Sequence, residues 1–302
     1  MFQTVKELVE LAEKDQKKIS EIMIETEIET TGSNREAIFA KMSSNLDVME
    51  DAVKRGISEN IRSHSGLTGG DAKRLQAYLA EGQTLSGVAM LDAVSKAMAT
   101  NEVNAAMGVI CATPTAGSAG VVPGTLFGLC ERLKPAPTRD QMVRFLFTAG
   151  AFGFVVANNA SISGAAGGCQ AEVGSATGMA AAAAVELAGG SPQQSAHAMA
   201  IALGNMLGLI CDPVAGLVEV PCVKRNAVGA STALVAADMA LAGIESRIPC
   251  DEVIEAMYRV GRMMPAAFRE TAQGGLADTP RGRALKRQIF GHDGQKSVTK
   301  HP

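Results

Sequence analysis

The chain has 302 residues, 47% of them hydrophobic but only 4% aromatic and none Trp, with a net charge of −3 and a pI near 5.9. That length is ample for a buried core. The acidic balance gives no support to nucleic-acid binding. With so few aromatics, the apolar content rests on Ala, Val, Leu, Ile and 15 Met, side chains that favour close helix–helix approach.

The opening "MFQTVKELVELAEKDQKK" is amphipathic and charged, without the apolar core of an export signal. The expectation is a cytoplasmic protein, where thiols stay reduced. In "SNREAIFAKMSSNLDVMEDAVKRG", Ser33 and Glu36 read as a capping box. Ile38, Met42, Leu46, Met49 and Val53 then recur every three or four residues, which predicts one face of a helix. Residues 57–71 read as a loop, with Asp71 capping the next helix. A helix is expected over 86–108, and "CATPTAGSAG" breaks it. Thr138 and Gln141 form a second capping box before "RDQMVRFLFTAGAFGFVVANN". Pro192 in "SPQQ" sits at a first helical position, where its missing N–H costs nothing. "IPCDEVIEAMYRVGRMM" is amphipathic, and the tail 292–302 reads as disordered. No strand alternation emerges, so the expected fold class is all-α, with one helical domain over 1–291.

Residues 103–130 and 145–171 lack Asp, Glu, Lys and Arg and are long enough to span a bilayer. Their prolines, amides, hydroxyls and glycines would be penalised in lipid, so both read as buried protein and no membrane partner is expected.

The interruptions carry the chemistry. "CATPTAGSAG" presents Thr113, Thr115 and Ser118, hydroxyls that with backbone N–H groups could receive an anion, or form an ordinary turn. "NNASISGAAGGC" sets Asn158, Asn159 and Ser161 in an apolar stretch, as a structural kink or a polar pocket. Cys169 follows, with Cys211 and Cys222 further on, and Lys224 and Arg225 come two and three residues after Cys222. A basic neighbour favours thiolate, and a solvated helix end is the plain alternative for Lys224. There is no CxxC spacing, so a zinc ribbon or thioredoxin-type motif is excluded. Cys111, Cys130 and Cys250 read as small core residues. The four His are scattered and read as structural or exposed. Spacing alone leaves cluster, zinc and bare thiols open for the three central cysteines.

"TNEVNAAMGVICATPTAGSAGVVPG", "GAFGFVVANNASISGAAGGCQAEVGSA" and "MLGLICDPVAGLVEVPCVKRNA" together resemble the α chain of bacterial iron–sulfur-dependent L-serine dehydratases, from near residue 1 to about 291. The resemblance implies an all-helical fold and a [4Fe–4S] cluster on Cys169, Cys211 and Cys222. It also implies conversion of the small-molecule substrate L-serine to pyruvate and ammonia. Thr113, Thr115, Ser118, Asn158, Asn159 and Ser161 become candidates for the serine carboxylate, and Lys224 for neutralising it. The family's β portion is missing, so a separate β chain is the expected partner. The base is not identified. Neighbouring readings are a cluster-dependent cysteine desulfidase, a pyridoxal-phosphate dehydratase using Lys134 or Lys224, and a non-catalytic helical subunit.

Overall fold

In the computed structural model, which describes residues 1–82 and 84–291, the described residues form helices joined by loops. The expected tail lies outside them. In chain order the helices are α1 (Val5–Lys14), α2 (Ile19–Thr31), α3 (Arg35–Ser58), α4 (Asp71–Ala80), α5 (Val88–Ala105), α6 (Val121–Arg132), α7 (Arg139–Asn159), α8 (Gly164–Gly167), α9 (Ser175–Leu187), α10 (Pro192–Gly204), α11 (Cys222–Leu241), α12 (Cys250–Met263) and α13 (Pro280–Phe290). No named strand forms among the described residues; a single bridge pairs Cys211 with Arg269. The all-α expectation stands.

The local signals act mostly as read. Thr138 and Gln141 close a full capping box on α7, and Ser191 and Gln194 do the same on α10, with Pro192 in its first turn. Two starts shift. Asn34, not Ser33, caps α3 by accepting from Ala37 N–H at 2.8 Å. Asn is as good a cap as Ser, and the boundary moves by one residue. Asp71 is the first residue of α4 rather than its cap. The cap comes from across the fold, where buried Glu102 accepts from Asp71 N–H at 2.7 Å. Glu186 similarly receives Ile19 N–H at 2.6 Å at the start of α2. Helix N-termini attract carboxylates because their first N–H groups lack partners inside the helix.

At the centre lies α9, buried from Ser175 to Glu186. It packs against α6, α7, α10 and α11. Residues 180–184 are all Ala, which lets four helices approach one axis closely. The α5–α6 contact uses the same device with glycine. Gly120, Gly124 and Gly128 line one face of α6 at four-residue intervals against Ala93 and Ala97 of α5. A Cβ on Gly124 would lie 2.6 Å from the Ala97 Cβ, so only glycine permits this approach. Phe145, Phe147 and Phe152 of α7 fill the larger gaps. By length and composition α7 could cross a membrane, yet 61% of that window is buried inside the protein.

Candidate functional site

Two helix starts and one loop meet beside the N-terminal end of α9. Cys169 stands at the head of a π-helical turn, Gln170–Gly174, that runs directly into α9. Cys222 opens α11. Cys211 sits in the loop after α10, pinned on both sides of its backbone. Its N–H donates to Phe268 O and its C=O accepts from Glu270 N–H, each at 2.8 Å. All three thiols are free and buried.

Cys169 and Cys211 form a group with Glu172 whose potential ligand atoms all lie within 4.8 Å of one another. Glu172 is buried and accepts a hydrogen bond at Oε1 from the Thr115 hydroxyl. Arg225 completes the centre. Its Nη1 lies 3.4 Å from Cys169 Sγ and 2.8 Å from Ile210 O. Its Nη2 lies 2.8 Å from Asp212 Oδ1, in an ion pair whose angle falls outside hydrogen-bond alignment. Asp212 is anchored in turn by Leu276 N–H, 2.6 Å from Oδ2.

The electrostatics follow from these contacts. A hydrogen bond from the Cys211 thiol, with help from the Arg225 cation, pulls the Cys169 thiol below its ordinary range. The same hydrogen bond, then burial, pushes Cys211 far up. The two thiols therefore titrate as a coupled pair, in which Cys169 is the one held down and Cys211 the one pushed up. Burial first, then the Cys169 charge, pushes Cys222 well up. Burial also raises Glu172, against the stabilising Thr115 hydrogen bond.

Glycines make room at this centre. A Cβ on Gly164 would sit 3.0 Å from both Cys211 Sγ and Glu172 Oε2, and 3.4 Å from Glu270 Oε2. One on Gly117 would lie 2.6 Å from Glu172 Oε1. Two carboxyl oxygens and a sulfur thus face a surface kept free of side-chain carbon. Glu270 reaches it from a left-handed backbone position, φ 63°, an uncommon conformation for a non-glycine residue.

The Thr/Ser loop is brought to the centre. Thr115 reaches Glu172, and Ser118 Oγ lies 3.1 Å from Thr115 Oγ1. Thr113 turns inward, its hydroxyl 3.5 Å from Ala119 O. Buried Asn226 clasps the loop to α11. It accepts from Gly120 N–H at 2.9 Å and donates to Gly117 O at 2.7 Å and Cys222 O at 2.9 Å. The other nominated residues stand apart. Lys224 is exposed and pairs with Asp71 at 3.1 Å. Asn159 Nδ2 ties α7 to Gln3 O at 2.7 Å, and Asn158 is exposed. Ser161 lines a separate cavity.

Glu172, Asp212, Asn226 and Glu270 complete the centre without having been nominated, as does Arg225, which the sequence marked only as a basic neighbour of Cys222. Two of them had a signal. On a helix, i and i+3 share a face, so Arg225 and not Lys224 lies beside Cys222. Glu172 stands three residues after Cys169 in the same way. Asp212, Asn226 and Glu270 had none, because their roles depend on loops meeting across the fold. Cys130 and Cys250 behave as apolar core groups: burial raises Cys130 to about 11 and lifts Cys250 further. The Cys111 thiol donates to Asn45 O at 3.4 Å. His197 Nδ1 accepts from Ser246 N–H at 3.2 Å, a structural tie.

A helical scaffold that gathers soft thiol donors, a buried carboxyl and a charge-balancing arginine defines a class of protein with a group able to hold a metal ion. The comparisons place it more narrowly. The pattern described as "Serine dehydratase alpha chain" matches residues 14–277. Over 291 residues, 96% of either chain, the sequence is 71% identical to a Bacillus subtilis protein named "Probable L-serine dehydratase, alpha chain". It is 41% identical over 290 residues to the "L-serine dehydratase, alpha chain" of Peptoniphilus asaccharolyticus, covering 96% of this chain and 99% of that one. It is 37% identical over 282 residues to "L-serine dehydratase TdcG" of Escherichia coli, covering 91% of this chain and 61% of that one. The chain belongs to the serine dehydratase alpha chain family.

Proposed function

We propose that this chain is the α component of a cytoplasmic L-serine dehydratase, a lyase that converts L-serine to pyruvate and ammonia at a [4Fe–4S] cluster held by Cys169, Cys211 and Cys222. The observation that carries the reading is the grouping of the buried Cys169 and Cys211 thiols with Glu172 beside Arg225, against a position, Gly164, that glycine keeps clear of side chains, with buried Cys222 near enough for the Cys169 charge to raise it. The donor set fits the group: cysteine thiolates are the ligands iron–sulfur clusters take, and Arg225 offsets part of their charge. Cys169 and Cys211 sit closer than the roughly 6–7 Å expected of sulfurs spanning a cubane with metal–sulfur bonds of about 2.3 Å. The hydrogen bond between them accounts for the shorter approach.

When bound, such a cluster supplies Lewis acidity that turns the substrate hydroxyl into a better leaving group. The chain's own residues do the rest. Arg225 and Asp212 hold the Cys169 and Cys211 segments together. Thr115 directs its hydroxyl at the centre, where it holds Glu172, and fully buried Ser118 braces the Thr113–Thr115 turn behind it. Glu172 Oε2, facing Gly164 with its other oxygen held by Thr115, is the acceptor this chain offers for the Cα proton. A carboxyl raised by burial is a stronger base than an exposed one.

The partner is a β chain. The relatives of matching length are named as alpha chains, and the Escherichia coli polypeptide extends well beyond the part this chain covers. The test is reconstitution. Anaerobic addition of iron and sulfide should load roughly four of each per chain. Pyruvate should then form from L-serine once the β chain is added. A chain that takes up no iron, or releases sulfide from L-cysteine without forming pyruvate from L-serine, refutes the reading.

A further inference from the structure

Behind the thiol centre lies a second cavity, of about 260 Å³. Its walls come from three places: Ser161, Gly167 and Ala171 around α8 and the π-helical turn, Tyr258 and Arg262 of α12, and Arg269 of the loop that follows. The packing that forms it is close. A Cβ on Gly261 would lie 2.8 Å from the Gly167 Cα, so α12 lies directly on α8 and sets the next residue, Arg262, at the rim.

The charge of this cavity is one-sided. Two guanidinium groups and two hydroxyls line it, and no carboxylate does. Among the described residues, neither Arg262 nor Arg269 has an ion pair, and Arg269 Nε is buried without a hydrogen-bond partner. Arg269 as a whole is half-buried and Arg262 exposed, so the cost falls on that one buried donor, and native structures rarely leave such a donor unpaired without a purpose. The adjacent carboxylate, Glu270, does not answer it. Its Oε2 faces the Gly164 position beside Cys211, so consecutive residues serve opposite sides of one loop. Arg269 is also the residue bridged to Cys211 through the backbone.

We propose that this cavity is a binding site for the carboxylate of a small amino or keto acid, with Arg269 as its main anchor and Arg262 and the Tyr258 and Ser161 hydroxyls completing the grip. A planar guanidinium matches a carboxylate with two parallel hydrogen bonds, and the volume suits a molecule of a few carbons. The proposal rests on the lyase reading for its two sources, L-serine and pyruvate, which share this chemistry. Because the Arg269 segment carries the Cys211 backbone on its other side, occupancy of the cavity holds the Cys211 loop in place.

The test uses Arg269→Gln, Arg269→Lys and Arg262→Gln in the full chain, cluster-loaded and paired with its β chain. The probes are L-serine, sodium pyruvate and ethanolamine, which is serine without its carboxylate. Loss of a charge-assisted contact should weaken carboxylate binding roughly tenfold or more in Arg269→Gln. Arg269→Lys should recover part of that loss, and ethanolamine binding should not change. A raised KM for L-serine assigns the cavity to substrate. An unchanged KM with weaker inhibition by pyruvate assigns it to product. Iron–sulfur absorbance and the denaturation midpoint should stay at wild-type values, which a merely structural arginine would not allow. Should Arg269→Gln fail to fold, the exposed Arg262 carries the same comparison. Unchanged KM and pyruvate inhibition in both variants overturn the proposal, as does a defect confined to β-chain association, which would make the occupant an acidic side chain of the partner. Absence of pyruvate formation in the wild-type enzyme would instead refute the lyase reading itself.

Discussion

Replacing Arg225 with Met should be among the most damaging single changes near the centre. Arg225 bonds the Ile210 carbonyl, pairs with Asp212 and lies on the Cys169 sulfur, with its side chain only 15% exposed and that of Asp212 only 2%. Removing one partner of a buried pair leaves the other charge without compensation, at a cost of about 3–5 kcal/mol. Asp212 keeps one strong contact, Leu276 N–H at 2.6 Å, which holds the expectation to about 3 kcal/mol. Urea denaturation of the metal-free chain under reducing conditions measures it. The double variant Arg225→Met/Asp212→Leu should recover much of the loss, because it removes both charges. It should not recover cluster loading, because Cys169 has still lost its neighbouring cation. An Arg225→Met cost below about 1 kcal/mol, or a double variant no better than the single, would show that the pair is not the buried ionic unit described.

Cys222→Ser should fold and lose both the iron–sulfur absorbance and lyase activity, whereas Cys130→Ser should keep both; anaerobic absorbance and pyruvate assays decide it. Gly124→Leu should destabilise by about 3 kcal/mol or more in a chemical denaturation series, since even a Cβ would overlap the Ala97 backbone at 2.7 Å. Glu21 joins α2 to Arg35 and Arg144, whose hydrogen bonds hold its carboxyl down at about 2. The folded value is depressed, so its stabilisation is complete above the ordinary carboxylate range and is lost as pH falls from about 4.5 towards 2. Linkage sets a ceiling of about 3 kcal/mol, and the half-exposed Arg35 reduces this to about 1–2. Glu21→Gln should flatten that limb of the stability–pH curve, and an unchanged limb would show that other carboxylates govern acid unfolding.

What could be read from the chain was what depends on neighbours in sequence. The Thr138 and Ser191 starts are local grammar, and they held to the residue. The Thr113–Ser118 loop stood out because hydroxyls and glycines cluster within a few positions. Lys224 and Arg225 show where such reading stops. Both follow Cys222, and only the helical phase of α11 turns one to solvent and the other to sulfur. Glu102 and Glu186 would be implausible buried charges on sequence grounds, until each is seen to cap a helix from a distant element. The arginine cavity was illegible for the same reason: its polar residues lie at 161, 258, 262 and 269, and nothing local joins the first to the others.

The alanine run of α9 bears on how this protein can be studied. Scanning mutagenesis finds a core by deleting side chains and watching stability fall. At positions 180–184 there is nothing to delete, and the axis around which four helices pack would leave no mark in such a survey. Its importance would show only in the opposite experiment, where side chains are enlarged one methylene at a time. Sequence drift meets the same asymmetry: almost every single-step replacement there adds volume or polarity to a place with no room for either.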